Sequence, residues 1–525
     1  MRRALGYGGA VLLLFGGICA SCGTRTTPDQ STALDRPPRM HPDYTGVTIP
    51  ANIAPLNFQV QESGTYYHVK IHSASGTPIE VSGRSAKIGI PQRAWRTLLA
   101  ANRGAPLYFD VYVRSAGGQW QQFQRVTNQI AKEDIDPYLI YRRIRPLHNR
   151  WSDMSLEQRH LEDFDKTTIV HNRPLRHGCM NCHTLLHNDT NNMLLHGRML
   201  RGATMVSSMV LIQDGHASGI DSRSPFGGAP MGHSAWHPSG KLIVFTVYKV
   251  RQFFHTAKIE VREGMDLEAA LGYYLVDSGE MKTAPVLSLK DRLETFPTWS
   301  PDGKYLYFCT APIWWKDQNA LPPRFNEIKY SLLRIPYDLE TDTWGASEVV
   351  LSAETTGLSI TQPRISPDGR FLVFCMSDYS CFPTFQDNSD LYLMDLPTGQ
   401  CRKLECSSPQ PESWHCWSSN GRWLAFSSKR GAMLFNRVYF SYLDADGRAH
   451  KPFVLPQEDP TFDDSYMRLY QLPELAKNPM PIRGEPLARL LRTPGPARHP
   501  IPVTGATPKA PASPPPSSDY PSNPH

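Results

Sequence analysis

Four segments repeat one pattern, and that pattern constrains the fold more than any other feature of the chain. They are Trp236-His-Pro-Ser-Gly-Lys-Leu-Ile-Val-Phe-Thr246, Trp299-Ser-Pro-Asp-Gly-Lys-Tyr-Leu-Tyr-Phe-Cys309, Ile365-Ser-Pro-Asp-Gly-Arg-Phe-Leu-Val-Phe-Cys375 and Trp417-Ser-Ser-Asn-Gly-Arg-Trp-Leu-Ala-Phe-Ser427. Each joins a strand end to a Pro-Asp-Gly type turn, a cation and an apolar strand that closes on Phe and a small residue. Pro presets its φ for a type I turn, Asp or Asn bonds back to the backbone, and Gly accepts the left-handed position. The apolar run after the turn is a buried strand bounded by turn signals. Gly240, Gly303, Gly369 and Gly421 stand 63, 66 and 52 residues apart. One hairpin per unit, with more strands between, means propeller blades, because a unit of this size cannot hide its sheet faces alone.

The repeats resemble the TolB-type propeller family, related to WD-repeat propellers. Residues 206–485 are assigned to this propeller, and about 50 residues per blade gives five or six blades. Six is the expectation, with a first blade before Gly232 that lacks the turn motif and a last blade using Arg437-Val-Tyr-Phe-Ser-Tyr442 and Pro452-Phe-Val-Leu-Pro456. Strands from both ends of the segment would close the ring. Residues 51–130 alternate apolar and polar side chains, as in Tyr67-His-Val-Lys-Ile71 and Leu107-Tyr-Phe-Asp-Val-Tyr-Val113. Evenly spaced short strands predict an antiparallel, immunoglobulin-like sandwich, with one helix over residues 92–102. Residues 131–205 read as a helical connector. The fold class is therefore mainly β.

The ends are different material. Arg2 and Arg3 precede an apolar run from Ala10 to Ile18, and Ala20 and Ser21 precede Cys22. That is a secretory signal over residues 1–21, and the run is too short to span a bilayer. The placement of Cys22 resembles a bacterial lipobox, with Cys19 where Leu is usual. The resemblance implies lipidation at Cys22, a tether over residues 22–50 and a membrane-anchored lipoprotein facing the periplasm. Residues 486–525 read as a disordered Pro-rich tail. The formal net charge is +6 over 525 residues with no dense basic block, so nucleic acid is not an expected partner.

The chemistry lies in Cys179-Met180-Asn181-Cys182-His183. A c-type haem needs two thiols that reach both vinyl groups and a histidine beside the second to bind iron, which this spacing supplies. Cys179 and Cys182 would hold one covalent haem and His183 would be the proximal ligand. His196 is the expected sixth ligand, with Met193 and Met199 as alternatives; His187 and Met205 also follow the motif. Three rival readings are a thioredoxin-like redox pair, which lacks its βαβ context here, a zinc site, which lacks a second close ligand pair, and a plain disulfide. Asp136-Pro-Tyr-Leu-Ile-Tyr-Arg142 and the stretch from the motif through His196-Gly-Arg198 resemble a group of Bacteroidetes TolB-like lipoproteins with one such motif. Arg142, Arg143 and Arg145 could pair haem propionates or form ordinary salt bridges.

Cys309 and Cys375 occupy the place of Thr246 and Ser427 in the other repeats and read as packing residues. Cys401 and Cys406, placed on one strand, should not pair. Cys381 and Cys416 carry no assignment. His233, Glu294, Gln362 and Glu412 are candidates on a propeller face, without a catalytic constellation. The function expected is a single-haem cytochrome passing electrons to a redox partner or serving an outer-membrane assembly. The alternatives are a non-catalytic binding lipoprotein and a haem enzyme with an open iron site.

Overall fold

The computed structural model describes Pro28 and residues 30–493, apart from 147–151, 202–203, 222–230, 257, 316, 318–320 and 432–433. The signal peptide, the lipidation site at Cys22 and residues 494–525 lie outside the described residues.

Six sheets form a propeller. Blade 1 is Cys179–Leu186, Asp189–Arg201, Thr204–Gln213 and His216–Asp221, and blade 2 is Met231–Trp236, Leu242–Phe254, Arg262–Leu275 and Glu280–Lys282. Blade 3 begins Arg292–Trp299, Tyr305–Pro312, Ser331–Asp338 and carries two short outer strands, Thr343–Trp344 and Glu348–Leu351. Blade 4 is Ser359–Ile365, Phe371–Ser377, Asp390–Asp395 and Gln400–Lys403, and blade 5 is Glu412–Trp417, Trp423–Ser428, Arg437–Tyr442 and Phe453–Val454. Blade 6 is built from both ends of this region. Its innermost strand, Leu469–Ala476, pairs with Tyr138–Ile144, which continues into Ser155–His160 and Lys166–His171. Neighbouring innermost strands touch in cyclic order around the ring. The Pro-Asp-Gly turns join first to second strands and all lie at one end, here the turn end. The long connections between second and third strands lie at the opposite, loop end.

Two boundaries need correction. Residues 131–205 are not a helical connector; apart from one short 3-10 turn at Arg173–Leu175 they are strands of blades 6 and 1. The alternation that would have marked them as strands is hidden because Ser155, Leu156, Glu157, Gln158 and Arg159 are all buried, on both faces. The last blade is also not the one containing Arg437–Tyr442, which belongs to blade 5.

Before the propeller, a seven-stranded and a three-stranded sheet share one apolar cluster with helix Gln92–Ala100. This domain starts earlier than expected: Tyr44, Val47 and Ile49 are buried, so residues 30–50 are folded structure and not tether. Ser31–Ala33 and Thr48–Ile49 pair in parallel with Trp120–Gln122 and Gln129–Ile130, where a wholly antiparallel sandwich was expected. The cluster runs on into Trp423, Val438 and Phe440 of blade 5 and Leu475 of the closing strand, so the two units share a core.

Residues 485–492 are ordered, against the expectation of a disordered tail. Helix Glu485–Arg492 buries Leu487, Ala488 and Leu491 in the cluster between blades 6 and 1. Gly197 of blade 1 leaves the room: a Cβ there would stand 2.8 Å from Leu491 Cδ2. Leu491→Ala should cost about 2–5 kcal/mol, read as a lower urea midpoint with an unchanged m-value.

Candidate functional site

The innermost strands carry a repeat that the turns do not announce. Each has a register shift at the same level: between Asn181/His183, Gly232/Ala235, Thr295/Thr298, Thr361/Arg364 and Ser413/Cys416, and opposite Ile140/Arg142 in blade 6. At each shift one residue is left-handed: Cys182, His233, Phe296, Gln362, Trp414 and Leu472, with φ from 43° to 56°. None is glycine, and each such residue costs of order 1–3 kcal/mol unless its surroundings impose it. Pro297, Pro363 and Pro473 follow three of them; proline has no N–H to lose where a bulge interrupts the ladder. The six bulges place these side chains around one level of the ring.

There they form a plug. His233 stacks on Trp414 with ring centroids 5.9 Å apart and planes 14° apart, although blades 2 and 5 face each other across the ring. Phe296 packs on both, 4.3 Å from His233 and 6.4 Å from Trp414, and Tyr248 also stacks on His233. Beside the plug lies a cavity of about 50 Å³, room for a few waters and far below the roughly 300–1,000 Å³ of a ligand pocket. His183, Ser234, Arg364, His415 and Glu474 are among its lining residues. Arg364 Nη2 donates to Glu474 Oε1 at 2.6 Å, while burial raises the Glu474 carboxyl. The small residues Thr246, Cys309, Cys375 and Ser427 are all fully buried behind the innermost strands, which fits their packing role.

Cys179, Cys182 and His183 lie on the innermost strand of blade 1, and all three are buried. Both thiols are free. Burial pushes the Cys182 thiol up, and nearby Arg142 and Arg198 oppose this. The guanidinium of Arg198 is buried, donates to Tyr248 Oη and the Met231 carbonyl, and feels both thiols. Burial, aided by Arg142 and Arg364, lowers His183 to about 3, so its imidazole is neutral; its Nε2 is buried and has no hydrogen-bond partner.

His196, the expected sixth ligand, is not brought to His183, whereas the alternatives Met193 and Met199 share its face of blade 1. His183 pairs with Leu195 and faces Ile140 and Leu472 of blade 6, whereas His196 Nε2 stands 2.6 Å from Ser234 Oγ of blade 2. Adjacent residues on a strand point to opposite faces, so His183 and His196 flank the sheet of blade 1 instead of facing each other. Met193 and Met199 are buried in the apolar cluster between blades 6 and 1. His187 sits on the blade 1 hairpin turn, bonded to the Pro238 carbonyl. Arg143 is held by Asp153 and Glu157 and Arg145 lies 4.0 Å from Asp153, as in the salt-bridge reading, while Arg142 donates to the neutral Gln471. Of the face candidates, His233 and Gln362 reach the channel, while Glu412 is buried against Ser408, Ser428 and Arg430. Cys401 ends exposed on Gln400–Lys403 and Cys406 lies beyond that strand, buried. Trp414, His415, Arg364, Glu474 and Arg198 were missed. The available signal was position: His233, Phe296, Gln362 and Trp414 each stand seven residues before the turn glycine.

The donor types match a c-type haem, two thiols and a neutral imidazole on one strand, but Cys182 Sγ stands 3.8 Å from His233 Nδ1 of blade 2 while His183 faces blade 6. The packing does not accommodate a porphyrin, since the cavity is about 50 Å³. Among the described residues no group of three or more His, Cys, Asp or Glu side chains could hold a metal ion. No helix among them is long and apolar enough to cross a membrane.

No protein-family model and no curated protein matches the chain. Solved structures similar to it include a puromycin-hydrolysing peptidase of Mycobacterium tuberculosis, at 12% identity and TM-score 0.33, over 53% of this chain and 38% of that one. An oligogalacturonate lyase of Vibrio parahaemolyticus is similar at 12% identity and TM-score 0.33, over 74% of this chain and 100% of that one. The Dos1 propeller is similar at 12% identity and TM-score 0.31, over 54% of this chain and 66% of that one. The chain spans well under half the length of the peptidase.

His196, His233 and His415 are buried like His183, and burial lowers each to about 3. A histidine with a depressed folded pKa favours the folded state above its unfolded value of about 6.5 and loses that contribution as pH falls towards 3. Each imidazole should therefore remove up to about 2 kcal/mol between pH 6.5 and 5. His233→Phe, which keeps the stack, should show a shallower fall in urea midpoint over that range than the parent.

Proposed function

We propose that the chain is an exported, lipid-anchored propeller that carries one c-type haem on Cys179, Cys182 and His183 and passes electrons one at a time. The observation that carries this reading is the pair of free, buried thiols beside a neutral imidazole whose Nε2 has no partner. When bound, the group supplies one-electron chemistry at its iron. In this reading Cys179 and Cys182 hold the group covalently. His183 keeps a nitrogen lone pair free at every physiological pH, because burial holds its pKa near 3. Arg198 places a buried positive charge beside the attachment point. The resemblance of the motif region to TolB-like lipoproteins and the basic, apolar N-terminus ending at Cys22 support the location. His196 lies on the other face of blade 1 from His183, while Met193 and Met199 lie on the same face, so the methionines are the candidates that could serve with His183 if the group is bound.

A second reading is favoured by the small cavity: a binding lipoprotein whose plugged channel is structural and whose motif carries no haem. One spectrum decides between them. Full chain exported alongside the cytochrome maturation machinery should stay red after acid-acetone extraction and give a c-type pyridine haemochrome. Cys179→Ala with Cys182→Ala should be colourless. A colourless parent of normal stability overturns the haem reading and leaves the second. Rapid carbon monoxide binding to the reduced parent would assign an open iron.

A further inference from the structure

We propose that the loop end of blades 2 and 3 is a docking surface for an anionic lipid membrane. The inference does not depend on haem.

The loops at this end form a stiff cap. The blade 2 loop crosses the ring to blade 5, where Glu260 accepts from Lys429 Nζ at 2.5 Å and from Arg262 Nε and Nη2 at 2.6 Å each. All three side chains are buried. Glu263 accepts from Tyr379 Oη at 2.8 Å and Gln386 Nε2 at 3.0 Å, which ties the same loop to blade 4. Phe253 packs on Phe325 of the blade 3 loop, and Phe325 on Tyr379. Trp315 is buried beneath the cap.

What the cap presents outward is apolar and basic. Six large apolar side chains of the described chain are exposed by more than 40%, and four of them, Phe254, Ile259, Leu289 and Trp314, lie on this pair of neighbouring blades. Single exposed apolar residues need no explanation, but several at adjacent loop tips do. Among them stand Lys249, Arg251, Lys258, Lys290 and Arg292. Without the buried Arg262–Glu260 pair, the described residues of 249–262, 288–292 and 312–329 hold seven lysines and arginines against three acids, and Lys258 lies 3.8 Å from Asp387 of blade 4. At the turn end Asp302, Asp338, Asp368, Asp395 and Asp444 stand beside the turn cations Lys241, Lys304, Arg370 and Arg422, so the cation excess of these loop tips is not repeated there. The cation excess at the loop tips of blades 2 and 3 would draw that end towards an anionic surface. Tryptophan and long apolar side chains interleaved with cations is the composition that anchors proteins at a lipid interface, where rings sit at headgroup depth and each nearby cation adds attraction to anionic lipid.

The test uses purified full chain with Cys22→Ala, so that no acyl anchor contributes, and flotation with vesicles. Vesicles of phosphatidylcholine mixed with phosphatidylglycerol should carry the protein up, and added salt should release it. Vesicles of phosphatidylcholine alone should bind at least roughly tenfold less. Reversing Lys249, Lys258 and Lys290 to Glu should weaken binding by roughly tenfold or more, and so should Trp314→Ala combined with Ile259→Ala. Val349→Ala, an exposed apolar residue on the outer edge of blade 3, should bind like the parent. Thermal midpoints matching the parent establish that the loop variants are folded. Equal binding to both vesicle types, no binding to either, or loop variants that bind as well as the parent overturns the proposal. So does saturable binding to an acidic protein by a parent that ignores the vesicles.

Discussion

Everything else in the molecule depends on one strand pairing. Leu469–Ala476 lies against Tyr138–Ile144, two segments more than 300 residues apart in sequence, and no ring exists without it. The strand buries all eight of its residues. It also borders blade 5 and blade 1, so it completes three interfaces at once. Its Leu472 is the sixth left-handed residue of the plug level, and its Glu474 takes the cation of Arg364 across the channel. The first domain braces this joint through a shared core, and the C-terminal helix seals it from the side. A propeller has many equivalent interfaces, but only this one is assembled from distant chain, and the braces gather there.

The legible parts of the sequence were those where a residue type is forced by backbone shape. Four turns need Gly at a left-handed position, and all four repeats gave themselves away by it. Blade 1 was illegible because its hairpin turns through His187 and Asn188, two left-handed residues that are neither Gly nor Pro. Blade 6 was illegible because its first strand follows its last three by so many residues. Residues 155–159 concealed their strand because Arg143 pairs with Glu157 across it, which lets charged side chains be buried on a face that should have read as apolar. The plug was hidden for a different reason. His233, Phe296, Gln362 and Trp414 share a φ and a level but no chemistry, so what repeats is a bend in the backbone and not a side chain.

The candidate site shows the same division. The sequence motif was placed in the wrong setting, a helix, because motifs of this spacing are usually met there. On a bulged strand the neighbours differ. His183 looks towards blade 6 and His196 towards blade 2, so nearness in sequence is no guide to which groups can share an iron. Plug and cavity share their lining residues, and the cap closes the loop end above them.

The seam beside His183 has a consequence in time. The imidazole is covered by Ile140 and Leu472, both from the blade that is completed last. During synthesis, Leu472 leaves the ribosome 289 residues after His183. Until then the motif strand has blade 2 on one side and open solvent on the other. Contacts of such sequence separation form late, because their loop entropy is met only when the rest of the ring stands ready. The fold therefore leaves the His183 side of the motif strand uncovered until the closing strand of blade 6 is in place.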